Sequence, residues 1–90
     1  MSSDVNKTLD ERGERYGKFR NHAELSQKLK QAMKEKATWL DLSPSQQESL
    51  EMIANKIARI LNGDPNYADN WHDIAGYATL IDLQLQGDDK

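Results

Sequence analysis

The sequence predicts an all-α domain of four helices, and three observations carry that prediction. Apolar residues recur at helical spacing in the long segments. No stretch alternates apolar and polar residues between turn signals, as a half-buried strand would. The two prolines, Pro44 and Pro65, both fall beside other start or stop signals rather than inside a periodic run. The whole chain, residues 1–90, reads as a single helical domain, with 1–5 and 87–90 as flexible tails.

The first helix is expected from Ser3 or Asp4 to Tyr16, where Gly17 interrupts it. The second runs from about Asn21 to Lys36, with Leu25, Leu29, Ala32 and Met33 as a narrow apolar stripe. Ala37 to Leu42 carries Trp39 and Leu40 and reads as a short turn packed onto the core. Ser43-Pro44-Ser45-Gln46 is a strong helix start: Ser43 caps, Pro44 suits the first helical position, and Gln46 sits where a capping box wants Glu or Gln. The third helix then runs to Asn62 through Leu50, Ile53, Ala54, Ile57, Ile60 and Leu61, and Gly63 is expected to end it as a left-handed cap. The last helix runs from Ala68 or Asp69 to Gln86. At about 100° per residue, Trp71, Ile74, Ala75, Ala78, Ile81 and Leu85 fill one side of it, while Leu80 and Leu83 lie towards the other. A helix this broadly apolar needs cover on more than one side. Burial at a subunit interface is therefore expected, making the domain an oligomeric helical bundle, with a dimer as the first expectation.

Composition narrows the function. The chain has 90 residues, of which 37% are hydrophobic and 30% charged. Mean hydropathy is -0.89. A chain this short builds a thin core. It has no cysteine, which removes disulfides, thiolate zinc sites and cysteine nucleophiles. No apolar run approaches a membrane span, and the N-terminus has no signal-peptide core. A soluble, cytoplasmic protein without membrane partners is expected. A net charge of -3 argues against general nucleic-acid binding.

Two carboxylate pairs stand out. Glu48 and Glu51 share a face of the third helix at i,i+3, and Asp69 and Asp73 share one of the last helix at i,i+4. Oxygen ligands with open water positions suit Mg²⁺ beside a phosphate substrate. In an antiparallel hairpin, however, the two pairs lie far apart along the axis. Carboxylates near helix starts also serve the helix dipole alone. On the third helix Asn55 and Arg59 join Glu48 and Glu51 opposite the apolar stripe, with Lys56 nearby. Such a face binds a metal-phosphate group or is simply solvated and laced with salt bridges. Arg12, Arg15 and Tyr16 offer contacts for a phosphate and a base beside Gly13 and Gly17; those glycines mark close packing, a ligand approach, a bend or simply the end of the helix. His22 and His72 have no ligand spacing, and both read as surface or partly packed side chains. No phosphate-cradling glycine loop is present.

Two stretches, ERGERYGKF (Glu11 to Phe19) and LEMIANKIARILNGDPNYADNWHDIAGYATL (Leu50 to Leu80), resemble a compact family of phages and prophages. They cover a little under half of the chain. That family in turn resembles the MazG-like all-α nucleoside triphosphate pyrophosphohydrolases. The resemblance implies helical dimers or tetramers with an acidic Mg²⁺ site, signed Glu-x-x-Glu on one helix and Glu-x-x-Asp on the next. Glu48-x-x-Glu51 fits the first half and Asp73 the last acid. Three residues before Asp73 stands Asn70 rather than Glu, with Asp69 one position further off. The implied metal ligands are thus Glu48, Glu51, Asp69 and Asp73, with Lys56 and Arg59 on phosphates and Tyr16 or Tyr77 on the base. The implied activity is attack of Mg²⁺-activated water at the α–β phosphate link of a (d)NTP. A non-catalytic nucleotide binder and a small helical oligomer that binds a host protein are the competing readings.

Overall fold

The computed structural model describes residues 2–90, and Met1, the start of the expected N-terminal tail, lies outside them. Four helices follow in order: α1 (Ser2–Tyr16), α2 (Phe19–Lys34), α3 (Pro44–Asn62) and α4 (Ala68–Leu85). A 3₁₀ turn, Ala37–Asp41, links α2 to α3. The all-α, four-helix expectation holds. Helix α1 already includes residues 2–5, and α2 starts at Phe19, two residues earlier than its pattern suggested.

Local chemistry fixes the ends. Ser43 Oγ accepts from the Gln46 amide and the Gln46 side chain accepts from the Ser43 amide, with Pro44 in the first turn. This reciprocal cap contributes about 1 kcal/mol. Beyond the end of α4, Gly87 with a φ of 88° lets Asp88 N–H reach the Leu83 carbonyl at 2.8 Å. The 3₁₀ turn buries Trp39 and leaves Leu40 exposed, and Gln47 Nε2 donates to the Trp39 carbonyl at 3.0 Å.

The expectation for Gly63 is corrected. Its φ is -130°, so it is no left-handed cap. It is glycine because the α1 terminus presses on it: a Cβ there would lie 2.3 Å from the Arg15 carbonyl oxygen and 2.4 Å from Tyr16 backbone atoms. Asp64 N–H donates to that same Arg15 carbonyl at 2.8 Å. The left-handed residue is Gly17, φ 79°, which packs on the Asn62 carbonyl. Gly13 has nothing near it and sits plainly within α1. The α1 end and the α3–α4 loop are therefore tied together, backbone to backbone.

Helix α3 is the centre of the molecule. It packs against both α2 and α4, which pack little against each other. Contacts run antiparallel on both sides: Lys34 meets Glu51, Lys56 meets Asp73, and Gln84 meets Ser45. The three helices thus form an open layer, with α1 attached at one end. The two broad faces of α3 differ in chemistry. At about 100° per residue, Leu50, Ile57 and Leu61 project to one face, while Glu48, Asn55 and Arg59 project to the other. Among the described residues, no helix is long and apolar enough to cross a membrane.

Candidate functional site

The interior of this layer is unusually polar. Among the described residues few large apolar side chains are buried, yet His22, Ser26, Ser49, Lys56 and Asn70 are, Ser26 and Asn70 fully. Lys, His and Asn are seldom buried without partners. Lys56 is 9% exposed, and its ammonium lies 3.0 Å from Asp73 Oδ2. Asn70, at 1% exposed, keeps Nδ2 without an acceptor, and so does Arg59 with Nε. His22 Nδ1 and Ser26 Oγ are likewise buried and unpartnered. A buried polar atom left unpaired costs about 1–3 kcal/mol.

These groups gather at one end of the layer. From the Lys56–Asp73 contact, three residues forward on α3 reach Arg59 and three back on α4 reach Asn70. The two are therefore level in the antiparallel hairpin. Arg59 lies over the Tyr16 ring at 4.5 Å, Tyr16 meets Tyr67 edge-on at 6.0 Å, and Arg15 lies over Tyr67 at 5.0 Å. Tyr67 Oη donates to Asp69 Oδ2 at 2.9 Å. That bond, followed by desolvation, holds the phenol above its usual range against the opposing pull of Arg15. Helices α2 and α4 both begin at this end, and neither N-cap, Lys18 or Tyr67, supplies a side-chain cap. Free N–H groups and the positive ends of two helix dipoles thus face the same region as Arg59.

His22 Nδ1 has a pH signature. Burial, and secondly the Arg59 charge, hold the imidazole below its usual 6.5. The folded chain therefore takes up the proton at lower pH than the unfolded chain, which does so at about 6.5. Its contribution is therefore complete above that value and is lost as pH falls through it towards the depressed folded pKa. Urea midpoints are expected to drop between pH 7.5 and 5.5, and the drop is expected to shrink in His22→Gln. An unchanged slope in the variant would contradict the burial of a neutral imidazole.

The four carboxylates implied as Mg²⁺ ligands fare differently. Glu48 is exposed, Glu51 is held 3.6 Å from Lys34 Nζ, Asp73 is held by Lys56, and Asp69 takes the Tyr67 hydroxyl. Glu51 lies five residues before Lys56, about 7.5 Å along the axis from the Asp73 level. Among the described residues, no three His, Asp or Glu side chains converge as a metal-ligand group. The donor set of one chain does not fit a protein-closed divalent site. The axial separation foreseen for the hairpin is the reason.

The other expected contacts also divide. Arg59 and Tyr16 come together, and Asn55 is half-buried on the same face of α3. Tyr77 is half-buried, in register with Ile74 and Ile81 on the packing side of α4. Arg12 is exposed on α1 beside Val5 and Leu9. Asn70 and His22 were not singled out as binding groups. A signal was present: Asn70 continues the stripe of Ile74, Tyr77 and Ile81, and His22 and Ser26 continue that of Leu29 and Met33.

No curated protein matches the chain. No solved structure matches it. A family profile described as a domain of unknown function, DUF6378, matches residues 3–84, which spans α2 and α3 whole and all but the outermost residue of α1 and of α4. The chain belongs to the DUF6378 family.

Proposed function

We propose that this protein binds nucleoside triphosphates, (d)NTPs, at the end of the layer where Arg59, Asn70, Tyr16 and Tyr67 meet. One observation carries the reading: Arg59 Nε and Asn70 Nδ2 are buried donors that lack acceptors. A phosphate oxygen is an acceptor of the right charge. The uncapped starts of α2 and α4 add N–H donors and dipole at the same end. The Tyr16–Tyr67 pair supplies aromatic surface for a base. This agrees with the resemblance to the phage-type, MazG-like pyrophosphohydrolases, and we carry that kinship forward as part of the proposal.

Binding without hydrolysis is the form the geometry favours, because the acids of one chain stay apart and Lys34 and Lys56 neutralise Glu51 and Asp73. Self-association belongs to the same reading, supported by the large apolar side chains left exposed on α3 and α4. The test is isothermal titration with a nucleotide panel, with and without Mg²⁺, and the same mixtures assayed for pyrophosphate. Saturable binding without product is expected, weakened at least about tenfold in Arg59→Gln, the loss of one charge-assisted contact. Pyrophosphate release that disappears in Glu51→Gln and Asp73→Asn would establish the Mg²⁺-dependent hydrolase instead. Absence of binding to every nucleotide would overturn the proposal and leave a host-protein partner as the reading to pursue.

A further inference from the structure

One charged group at the Arg59 end is left over by the phosphate contacts. Asp69 is exposed in the first turn of α4. Among the described residues no cation stands within ion-pair distance of it, whereas Glu51 and Asp73 each meet a lysine. Tyr67 Oη donates to Asp69 Oδ2 at 2.9 Å. Oδ1 and the second lone pair of Oδ2 are left to accept further bonds. That bond, first among its causes, holds the phenol above its usual range, so Tyr67 keeps its proton and fixes the carboxylate as a donor.

Two further observations set a ligand's base beside this carboxylate. The first is aromatic surface. Tyr16 and Tyr67 meet edge-on, so their contact takes a face of only one ring. Arg59 takes one face of Tyr16, and Arg15 one face of Tyr67. At least one of the four ring faces is left for a stacked base. The second is Asn70, the next residue, 1% exposed and with Nδ2 lacking an acceptor. Asn70 turns inward against α3. Asp69, about 100° away around the helix, turns towards the open side that Asp73 also faces. Adjacent residues thus offer a buried donor and an exposed acceptor. Those suit the two ends of a nucleotide, phosphate oxygens at one and base N–H groups at the other.

We infer that this site selects guanine nucleotides, with the Asp69 carboxylate accepting the neighbouring N1–H and N2 amino donors of the base. The inference rests on the nucleotide-binding reading and names the base it takes. Guanine presents its two donors side by side, and a carboxylate accepts such a pair with both oxygens, as it does from an arginine fork. Adenine and cytosine set an amino donor beside a ring-nitrogen lone pair, which then faces the second oxygen. Thymine sets its one N–H between two carbonyl oxygens. Each of these three brings an acceptor against a negative charge, and a mispaired polar edge is what makes discrimination strong. Asp69, which the resemblance would give to a metal, is by this geometry the residue that reads the base.

Isothermal titration of the full chain with dGTP, dATP, dITP and inorganic tripolyphosphate tests it, in the unaltered protein and in Asp69→Asn. Binding of dGTP is expected at least about tenfold tighter than that of dATP, the worth of one charge-assisted bond. Hypoxanthine keeps N1–H and lacks the amino group, so dITP should fall between. These three ligands need no variant to fold. In Asp69→Asn the dGTP-to-dATP ratio should collapse or invert, because a carboxamide pairs one donor and one acceptor with adenine. Using the ratio cancels what the lost charge does to the phosphates. Equal affinity for dGTP and dATP in the unaltered chain would overturn the inference, as would a ratio unchanged in Asp69→Asn. If tripolyphosphate and all the nucleotides bind alike, the phosphate site stands and only the base selection falls. If none of the four binds, the nucleotide-binding reading falls and this inference falls with it.

Discussion

Gly63→Ala is expected to lower stability by about 3 kcal/mol or more, a large share of what a small domain possesses. The added methyl would meet backbone on every near side: the Arg15 carbonyl oxygen at 2.3 Å and Tyr16 C and Cα at 2.4 Å. Backbone has no rotamer by which to move aside. Relief requires the α1 end to lift from the α3–α4 loop, breaking the Asp64 N–H to Arg15 carbonyl bond. Gly17→Ala should cost a similar amount, for the same closeness to Asn62 plus a positive φ that L side chains resist. Gly13→Ala and Gly76→Ala, with nothing near either position, are expected to be neutral or to stabilise by about 0.5–1 kcal/mol. Urea denaturation of the four variants checks the contrast. Equal effects across the four would show that the knot between α1 and the α3–α4 loop carries no stability.

Asp73→Ala should be costlier than Lys56→Met, although both remove the same ion pair. The Lys56 side chain is 11% exposed and that of Asp73 43%. Deleting the acid leaves a buried ammonium with no carboxylate. Deleting the lysine leaves a carboxylate that water already reaches, and methionine fills the volume of the stem. Allowing for the screening that water gives the half-exposed partner, about 2 kcal/mol is expected for Asp73→Ala and under 1 kcal/mol for Lys56→Met. The reverse order, again from urea midpoints, would mean that Lys56 is not the desolvated member of the pair.

Helix positions were legible because their signals are local. The Ser43–Gln46 box, the Asn62–Gly63 stop and the Leu50–Leu61 stripe are each contained within one segment. The role of Gly63 was not legible. It depends on Arg15 and Tyr16, almost fifty residues earlier, and no spacing within either segment announces a contact between them. The candidate site was half legible. Arg59 and Tyr16 were named from residue type, and the structure brings them to 4.5 Å. Lys56 was grouped with the solvated face, but it points towards α4, where Asp73 receives it. Asn70 first drew notice as a departure from an acidic signature. Its burial follows from the register it shares with Ile74, Tyr77 and Ile81, which turns the side chain inward. The carboxylates separated because antiparallel pairing sets Glu51 and Asp73 at different levels, a consequence of chain direction rather than residue type.

These features make one account. A single central helix carries a polar face and an apolar face, and neighbours on only two sides leave both open. The polar end holds donors without acceptors beside an aromatic pair. The apolar face leaves Leu61, Trp71 and Leu85 exposed to water. A ¹H–¹⁵N correlation titration of the full chain with a deoxynucleoside triphosphate tests the division directly. The account predicts saturable shifts at Tyr16, Arg59, Tyr67 and the Asn70 side-chain amide, with Leu61, Ala75 and Ala78 responding to protein concentration instead. Nucleotide-dependent shifts centred on Leu61 and Ala78, with the Asn70 amide unmoved at saturation, would contradict it.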